Sequence, residues 1–99
     1  MTVQFIQIIE GHSSRFDEIM ALEEEWRNAT EGKRTLRRSI VARDRDNPTR
    51  HIILAFFDDY ESAMVNSDLP ETAEFGEKQQ ALMDAPMVFT NLDVLEDRN

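Results

Sequence analysis

The segment from Arg50 to Tyr60 constrains the fold of this chain more than any other part of the sequence. It reads Arg-His-Ile-Ile-Leu-Ala-Phe-Phe-Asp-Asp-Tyr, an uninterrupted apolar run over residues 52–57 that stops at two aspartates. A short run of aliphatic and aromatic residues is typical of a β-strand. A half-exposed strand alternates polar and apolar residues, so this uninterrupted run predicts burial on both faces. We therefore expect the segment at the centre of a sheet.

The rest of the chain supplies the other elements of an α+β domain. Residue patterning predicts further strands over residues 3–9, 35–43 and 87–95, and helices that begin at Phe16, Asp58 and Pro70. Ser13 or Ser14 is expected to cap the first helix. Asp58 followed by Glu61 has the spacing of a capping box, which predicts the start of the second helix.

This order of elements indicates a ferredoxin-like split βαβ fold. Strand, helix, strand, strand, helix pair and strand form a four-stranded antiparallel sheet with the helices on one face. The first and third strands are central in that topology, and they are the two most apolar strands of the sequence. We expect residues 1–99 to form a single domain of this kind.

The second and third strands are predicted to form a hairpin around the turn at residues 46–49. The expected pairing places Ala42 beside His51 and Arg38 beside Ala55. A slip of one residue would exchange the two faces of the strand, because side chains alternate between faces.

The apolar character of both central strands predicts association of two copies. Helices cover only one face of such a sheet, and the other face would leave a large apolar patch in water. A homodimer that packs sheet against sheet would bury that patch.

Charge and composition exclude several classes of partner. The net charge of −9 comes entirely from residues 51–99, because residues 1–50 contain equal numbers of basic and acidic residues. An acidic chain is a poor partner for nucleic acid. The chain begins with neither a basic segment nor a long apolar one, so we expect no signal peptide and no membrane span. The absence of cysteine is typical of a reducing compartment, which predicts a cytoplasmic protein.

The chain resembles the dimeric α/β-barrel superfamily, specifically its branch similar to antibiotic-biosynthesis monooxygenases (ABM-like proteins). The resemblance lies in the length, the element order and a pattern that covers most of the chain. That pattern comprises the strand at residues 52–57, the segment Tyr-Glu-Ser-Ala from Tyr60, the segment Asn-Ser-Asp-Leu-Pro from Asn66, Phe75, and the last strand over residues 87–94. It implies the fold and a dimer. The superfamily includes cofactor-independent quinone-forming oxygenases, haem-degrading enzymes and lactone isomerases.

The sequence departs from the functional patterns of that superfamily at several positions. Haem-degrading members resemble one another in an Asn on the first strand, a Trp on the third and a His on the second helical region. Here the first strand offers Gln4 and Gln7, the third offers Phe56 and Phe57, and the second helical region has no histidine. Oxygenases of polyketide phenols tend to have a Trp and an Asn near the third strand. The only Trp here is Trp26 on the first helix, and Asn66 and Tyr60 are the nearest polar residues but match poorly. Haem degradation is therefore disfavoured.

A few residues are candidates for chemistry or binding. His51 and Tyr60, at the two ends of the third strand, are the candidate proton acceptors. The candidate substrate-binding residues are Arg38, Asn66, Phe56 and Phe75, and a pocket between sheet and helices is expected to be lined by Phe5, Phe56, Phe75 and Phe89. His51 has a structural alternative as a half-exposed residue at a strand end. A metal site is not expected, because two histidines without ligand spacing do not form one.

Two functional interpretations follow and both stay open. The first is a cofactor-independent monooxygenase that acts on an aromatic or hydrophobic small molecule and needs only O₂ and a deprotonatable substrate. The second is a non-catalytic dimeric module of the same fold that binds a ligand or serves a stress response. The missing Trp and Asn favour the second interpretation, whereas the expected pocket favours the first.

Overall fold

The computed structural model describes residues 3–99, which contain four strands and three helices. In chain order these are β1 Phe5–His12, α1 Phe16–Ala29, β2 Arg38–Arg43, β3 Arg50–Phe57, α2 Tyr60–Asp68, α3 Pro70–Ala81 and β4 Val88–Asp93. The predicted order of elements is confirmed. Within residues 3–99, no helix combines the length and the apolar character needed to cross a membrane.

The four strands form one antiparallel sheet in the order β2-β3-β1-β4. The two apolar strands, β1 and β3, are central, and the more polar β2 and β4 are the edges. The fold is therefore α+β and ferredoxin-like, as the sequence predicts. A central strand is paired with a neighbouring strand on both sides, whereas an edge strand keeps one side in contact with water.

The register of the β2–β3 hairpin differs by one residue from the predicted pairing. Arg43, not Ala42, lies opposite His51, and Arg38 lies opposite Phe56. The turn is tightened by Asp44, whose carboxylate accepts hydrogen bonds from the backbone N–H groups of Asp46 and Asn47 at 2.8 and 3.2 Å. This shift places Arg38 and Phe56 on the same face of the sheet, opposite to the face that carries His51.

Strand β1 is longer than predicted and continues to His12. Gly11 was expected to break it, but Gly11 pairs with His51 of β3. A Cβ atom at position 11 would lie 2.8 Å from the Sδ and Cε atoms of Met83. Glycine is therefore used here for a close approach between the strand and the segment that follows α3.

The start of α1 differs in detail from the prediction. Its first flanking residue is Arg15, and no side chain caps the helix directly. The Ser13 hydroxyl instead accepts a hydrogen bond from the Arg15 N–H at 2.9 Å and donates one to the Leu82 carbonyl at 2.7 Å. Ser13 therefore ties the beginning of α1 to the end of α3.

The start of α2 lies one residue later than the capping box predicts. Asp59 is the N-cap, and its carboxylate accepts a hydrogen bond from the Ser62 N–H at 2.8 Å. Asp58 instead forms a bidentate ion pair with Arg37, with N···O distances of 2.9 and 2.7 Å. The adjacent aspartates thus have separate structural tasks, one at the helix end and one at the sheet.

The two faces of the sheet have different environments. The face towards the helices carries Phe5, Ala55 and Phe57, which form the buried core together with Ala63 of α2. The opposite face is here called the outer face. It presents half-buried apolar side chains of three strands: Ile6, Ile8, Ile40, Ile52, Leu54 and Phe56. The helices leave these residues partly exposed to water.

Candidate functional site

A cavity of about 230 Å³, here called the main cavity, lies between the sheet and the helices. Its walls include four aromatic side chains: Trp26, Phe57, Phe75 and Phe89. Trp26 comes from α1, Phe75 from α3, and the other two from the sheet. Phe89 lies on the edge strand β4 and is 53% exposed, so the cavity borders the surface there. The apolar faces of several elements therefore meet around a space suited to a flat ring.

Most polar side chains of the main cavity have partners within the protein. The Trp26 indole N–H donates to the Thr72 hydroxyl at 2.9 Å. Asn66 is buried, and its carbonyl oxygen accepts a hydrogen bond from the Thr35 N–H at 3.2 Å. These bonds fix the orientation of the side chains and leave the cavity with a rigid wall.

An acidic group also borders the main cavity. Glu23 of α1 lines the cavity, and its carboxylate lies 3.4 Å from the guanidinium of Arg27. The same guanidinium donates to the Ser39 hydroxyl of β2 at 2.7 Å. Arg27 therefore links α1 to the edge of the sheet and holds a carboxylate beside the cavity.

A smaller space of about 20 Å³, here called the inner chamber, adjoins the main cavity. It is lined by Ile9, Gly11, Phe16, Ile19, Met20, Glu23, Val41, His51, Ile53, Phe75, Gln79 and Met83. Five of these residues also line the main cavity, namely Ile9, Glu23, Ile53, Phe75 and Gln79. The two spaces are thus separated by a few shared side chains, and Gln79 and Glu23 are the polar ones.

His51 is a titratable residue that lines the inner chamber. It is buried, and its ring stacks on the ring of Phe16 with centroids 4.2 Å apart and planes inclined by 13°. The Arg43 guanidinium lies 4.9 Å from the centroid of the Phe16 ring. Burial lowers the pKa of His51 below its ordinary value, and the positive charges of Arg43 and His12 lower it further. His51 is therefore a neutral imidazole at pH 7.

Three buried nitrogen atoms at the inner chamber have no hydrogen-bond partner within residues 3–99. They are Nδ1 and Nε2 of His51 and Nε2 of Gln79. His51 is 5% exposed and Gln79 is 3% exposed, so bulk water does not satisfy them. Buried polar groups in native proteins are almost always paired, so these two side chains are the clearest functional signal in the fold.

The structure brings three of the six predicted site residues to this region. Asn66 and Phe75 line the main cavity, and His51 lines the inner chamber. Tyr60 is 51% exposed and packs its ring edge-on against Phe5, with centroids 5.6 Å apart. It lines neither space.

The remaining two candidates lie on the outer face. The Arg38 guanidinium is 5.8 Å from the centroid of the Phe56 ring, so the two side chains contact each other there. Phe56 therefore does not line the main cavity, because alternation along β3 puts it on the face opposite to Ala55 and Phe57. Phe5 likewise belongs to the core rather than to the cavity wall, whereas Phe75 and Phe89 line the cavity as expected.

Sequence patterning missed Glu23 and Gln79. The charge of Glu23 is typical of an exposed helix position, yet Glu23 follows Ile19 by four residues and precedes Trp26 by three, which puts it on the same side of the helix. Gln79 follows Phe75 by four residues and shares its side of α3. Helical spacing therefore contained the signal, but polar residue types concealed it.

A metal site is not apparent in the described part of the chain. Among residues 3–99, no three His, Cys, Asp or Glu side chains come close enough together to hold an ion. The groups available for contact with a ligand are aromatic rings, the Gln79 amide, the Glu23 carboxylate and the His51 imidazole. Such a set can bind and orient an oxygen-bearing aromatic compound and can accept its proton.

Comparison with known proteins identifies the fold. No protein-family model matches the chain, and no curated protein sequence matches it. Among solved structures, the chain is similar to SnoaB, a cofactor-independent oxygenase from Streptomyces nogalater, with a TM-score of 0.80 and 10% identity over 97% of each chain. It is also similar to an antibiotic biosynthesis monooxygenase, with a TM-score of 0.75 and 11% identity over 93% of this chain and 99% of the other.

A conserved protein from Methanosarcina mazei Go1 has a similar structure as well. Its TM-score is 0.78 at 14% identity, over 92% of this chain and 93% of the other. Similarity at such low identity shows the fold. The class defined by the sheet, the helices and these neighbours is that of α+β ferredoxin-like proteins, and within it the chain has the ABM-like fold.

Proposed function

We propose that this protein is a homodimer that binds a flat aromatic small molecule in the main cavity and oxidises it with O₂ without a cofactor. The observation that carries the proposal is an aromatic-walled cavity beside a buried, neutral histidine. The similarity to SnoaB, a cofactor-independent oxygenase, supports the same activity.

The size and walls of the main cavity favour a small aromatic ligand. Its volume of about 230 Å³ lies below the roughly 300–1,000 Å³ of sites for drug-sized ligands. Aromatic pairs in offset or edge-on geometry contribute about 0.5–1.5 kcal/mol beyond the burial of their area. Trp26, Phe75 and Phe89 would therefore recognise a ring more strongly than an aliphatic chain of equal size.

The proposed chemistry needs one proton acceptor and O₂. A phenol or enol loses its proton towards His51, and the resulting anion is electron-rich enough to react with O₂ at the adjacent ring carbon. In the conversion of a ring CH₂ group to a carbonyl, one oxygen atom of O₂ becomes the carbonyl oxygen and the other leaves as water. His51 suits the first step because a neutral imidazole can accept a proton.

The homodimer would form through the outer face. Six half-buried apolar side chains of this face remain in contact with water in a single copy, and burial of apolar area contributes about 25 cal/mol per Å². Leu54 of the central strand β3 lies within this patch. Leu54→Asp is therefore expected to convert the dimer into a monomer, because a charge would be buried between the sheets.

The dimer is tested by native mass spectrometry and by sedimentation at micromolar concentration. Val65→Asp is the matched control, since Val65 is an exposed apolar residue on α2, away from the sheet. The wild type and Val65→Asp should be dimers and Leu54→Asp a monomer. A wild-type monomer, or a Leu54→Asp variant that remains a dimer, would refute the sheet-to-sheet interface.

A second candidate function is ligand binding without catalysis. The observation that favours it is the position of His51, which lines the inner chamber but not the main cavity. A ligand in the main cavity would then lack direct contact with the imidazole. In this case the protein would hold an aromatic compound without consuming it.

Aerobic turnover of a panel of anthrones and hydroquinones separates the two functions. Product formation should require O₂, and His51→Phe should abolish it while retaining the stacking on Phe16. Tyr60→Phe is the comparison variant, and it should retain activity because Tyr60 lies outside the cavity. Binding without O₂-dependent turnover would reject the monooxygenase and leave the binding module.

A further inference from the structure

The inner chamber combines an apolar wall with unpaired polar atoms. Both ring nitrogens of His51 and the amide nitrogen of Gln79 are buried there without a protein partner within residues 3–99. Leaving a buried donor or acceptor without a partner destabilises the folded protein. A small polar ligand in the chamber would remove that destabilisation.

The volume of the chamber determines which ligand fits. A space of about 10–15 Å³ is sufficient for one water molecule, and the inner chamber has about 20 Å³. A buried water needs two to four polar partners, and His51 and Gln79 supply them. The chamber is thus sized for one water molecule and not for a chain of them.

Two contacts close the far side of the chamber. Met83 packs against Gly11 of β1, and the Asp84 N–H donates to the His12 carbonyl at 2.7 Å. The Ser13 hydroxyl bonded to the Leu82 carbonyl reinforces the same junction. A water molecule in the chamber would therefore exchange slowly with solvent. On its other side it would face the main cavity.

We propose that His51 and Gln79 bind a single internal water molecule in the inner chamber, and that this water carries a proton from the ligand to His51. The second part rests on the proposed function. Gln79 is the positioning residue, because it lines both spaces and its Nε2 atom has no hydrogen-bond partner within residues 3–99. Its amide would hold the water between the imidazole and the main cavity.

The relay is balanced in protons and electrons. The ligand O–H bond breaks and its proton joins the water, while one of the water's own protons moves to a ring nitrogen of His51. The ligand becomes an oxyanion, the imidazole becomes an imidazolium, and the water is restored. It follows that the ligand carries an ionisable hydroxyl group directed at the water. Glu23, the other polar residue shared by the two spaces, is the competing acceptor.

The water is tested directly by NMR and crystallography of the wild-type protein. Water-to-protein cross-peaks of a long-lived water should appear at the His51 ring protons and the Gln79 amide protons, and one density peak should lie between these side chains. Their absence in the wild type would overturn the water site. This measurement needs no substrate and no activity.

Gln79→Leu tests the role of the amide, and Gln4→Leu is the matched control at an exposed position. The cross-peaks at His51 should disappear in Gln79→Leu and persist in Gln4→Leu. The kcat of Gln79→Leu should fall at least about tenfold with little change in KM, within the range that proton-transfer groups contribute. Glu23→Gln is measured beside it, because Glu23 is the competing proton acceptor.

The outcomes separate the two proposals. Cross-peaks that persist in Gln79→Leu would refute the positioning role. An unchanged kcat in Gln79→Leu, or a kcat abolished only by Glu23→Gln, would refute the relay while the proposed oxidation stands. If the wild type oxidises nothing, the proposed function and the relay both fail, and the water site is still decided by the spectra.

Discussion

Gly76 offers a sensitive test of the geometry of the main cavity. It lies in the interior of α3 and lines the cavity, and a Cβ atom at this position would have no heavy atom within 4 Å. Glycine in a helix interior is about 0.8–1.0 kcal/mol less favourable than alanine. Gly76→Ala meets no steric obstacle and should therefore stabilise the protein by about 1 kcal/mol.

The change is measured by urea denaturation and by thermal unfolding at a fixed protein concentration, because association would shift both. For a domain of this size, 1 kcal/mol corresponds to a rise of about 4–8 °C in Tm. Gly32→Ala is the control and should instead destabilise the protein. Gly32 has a φ of 81°, a left-handed conformation in which alanine costs roughly 1–2 kcal/mol.

A larger side chain at the same position tests the function of the cavity. Gly76→Leu should remain folded and should occupy the space that the ligand needs, so that affinity for an aromatic ligand falls at least about tenfold. Gly76→Ala should bind nearly as well as the wild type. If Gly76→Ala were destabilising, α3 would lie too close to the sheet to leave the main cavity open.

Four further predictions concern single side chains. Asp59→Ala should lower the free energy of unfolding by about 0.5–2 kcal/mol through loss of the α2 cap. Asp59→Asn should retain most of the stability, because asparagine also caps helices. If both variants lost the same stability in chemical denaturation, the capping role would be contradicted. Because the pKa of His51 is lowered in the folded protein, its contribution to stability is complete above pH 6.5 and declines as the pH falls from there through the folded pKa. The urea midpoint of His51→Phe should therefore vary less than that of the wild type between about pH 6.5 and 5, and parallel curves would contradict burial of the neutral form. Thr72→Val should cost about 1–3 kcal/mol by leaving the Trp26 N–H unpaired, and Thr72→Ser should not. Trp26 is the only tryptophan, so its fluorescence should change on binding of a ligand in the wild type and not in Gly76→Leu.

Much of the fold could be predicted from the sequence. The apolar run of β3 identified a central strand, and the order of elements identified the ferredoxin-like topology, because only a few chain paths satisfy short connections and buried apolar faces. The ends of the strands and the starts of the helices were predicted less accurately. Asp58 and Asp59 are both acceptable caps by residue type, and the selection of Asp59 depends on the ion pair that Arg37 forms with Asp58.

The candidate site could be predicted only in part from the sequence. His51, Asn66 and Phe75 were identified from residue type and position, but Phe56 was assigned to the wrong face. Alternation along β3 puts Phe56 opposite to Ala55 and Phe57, so its face depends on which side of the sheet the helices cover. The face of Arg38 depends on the hairpin register, and the turn at Asp44 determines that register through hydrogen bonds that the sequence pattern does not specify.

The sequence by itself determined that the run ending at Phe57 is a central strand with apolar residues on both faces, because that property is contained in the local run of residues. Only the tertiary structure decided which face each residue occupies and which polar groups remain without partners. His51 is an ordinary strand residue until α1 covers it with Phe16, and Gln79 is an ordinary helix residue until α3 packs on β1. Burial and pairing depend on contacts between elements distant in the chain, and a sequence pattern records only the neighbours along it.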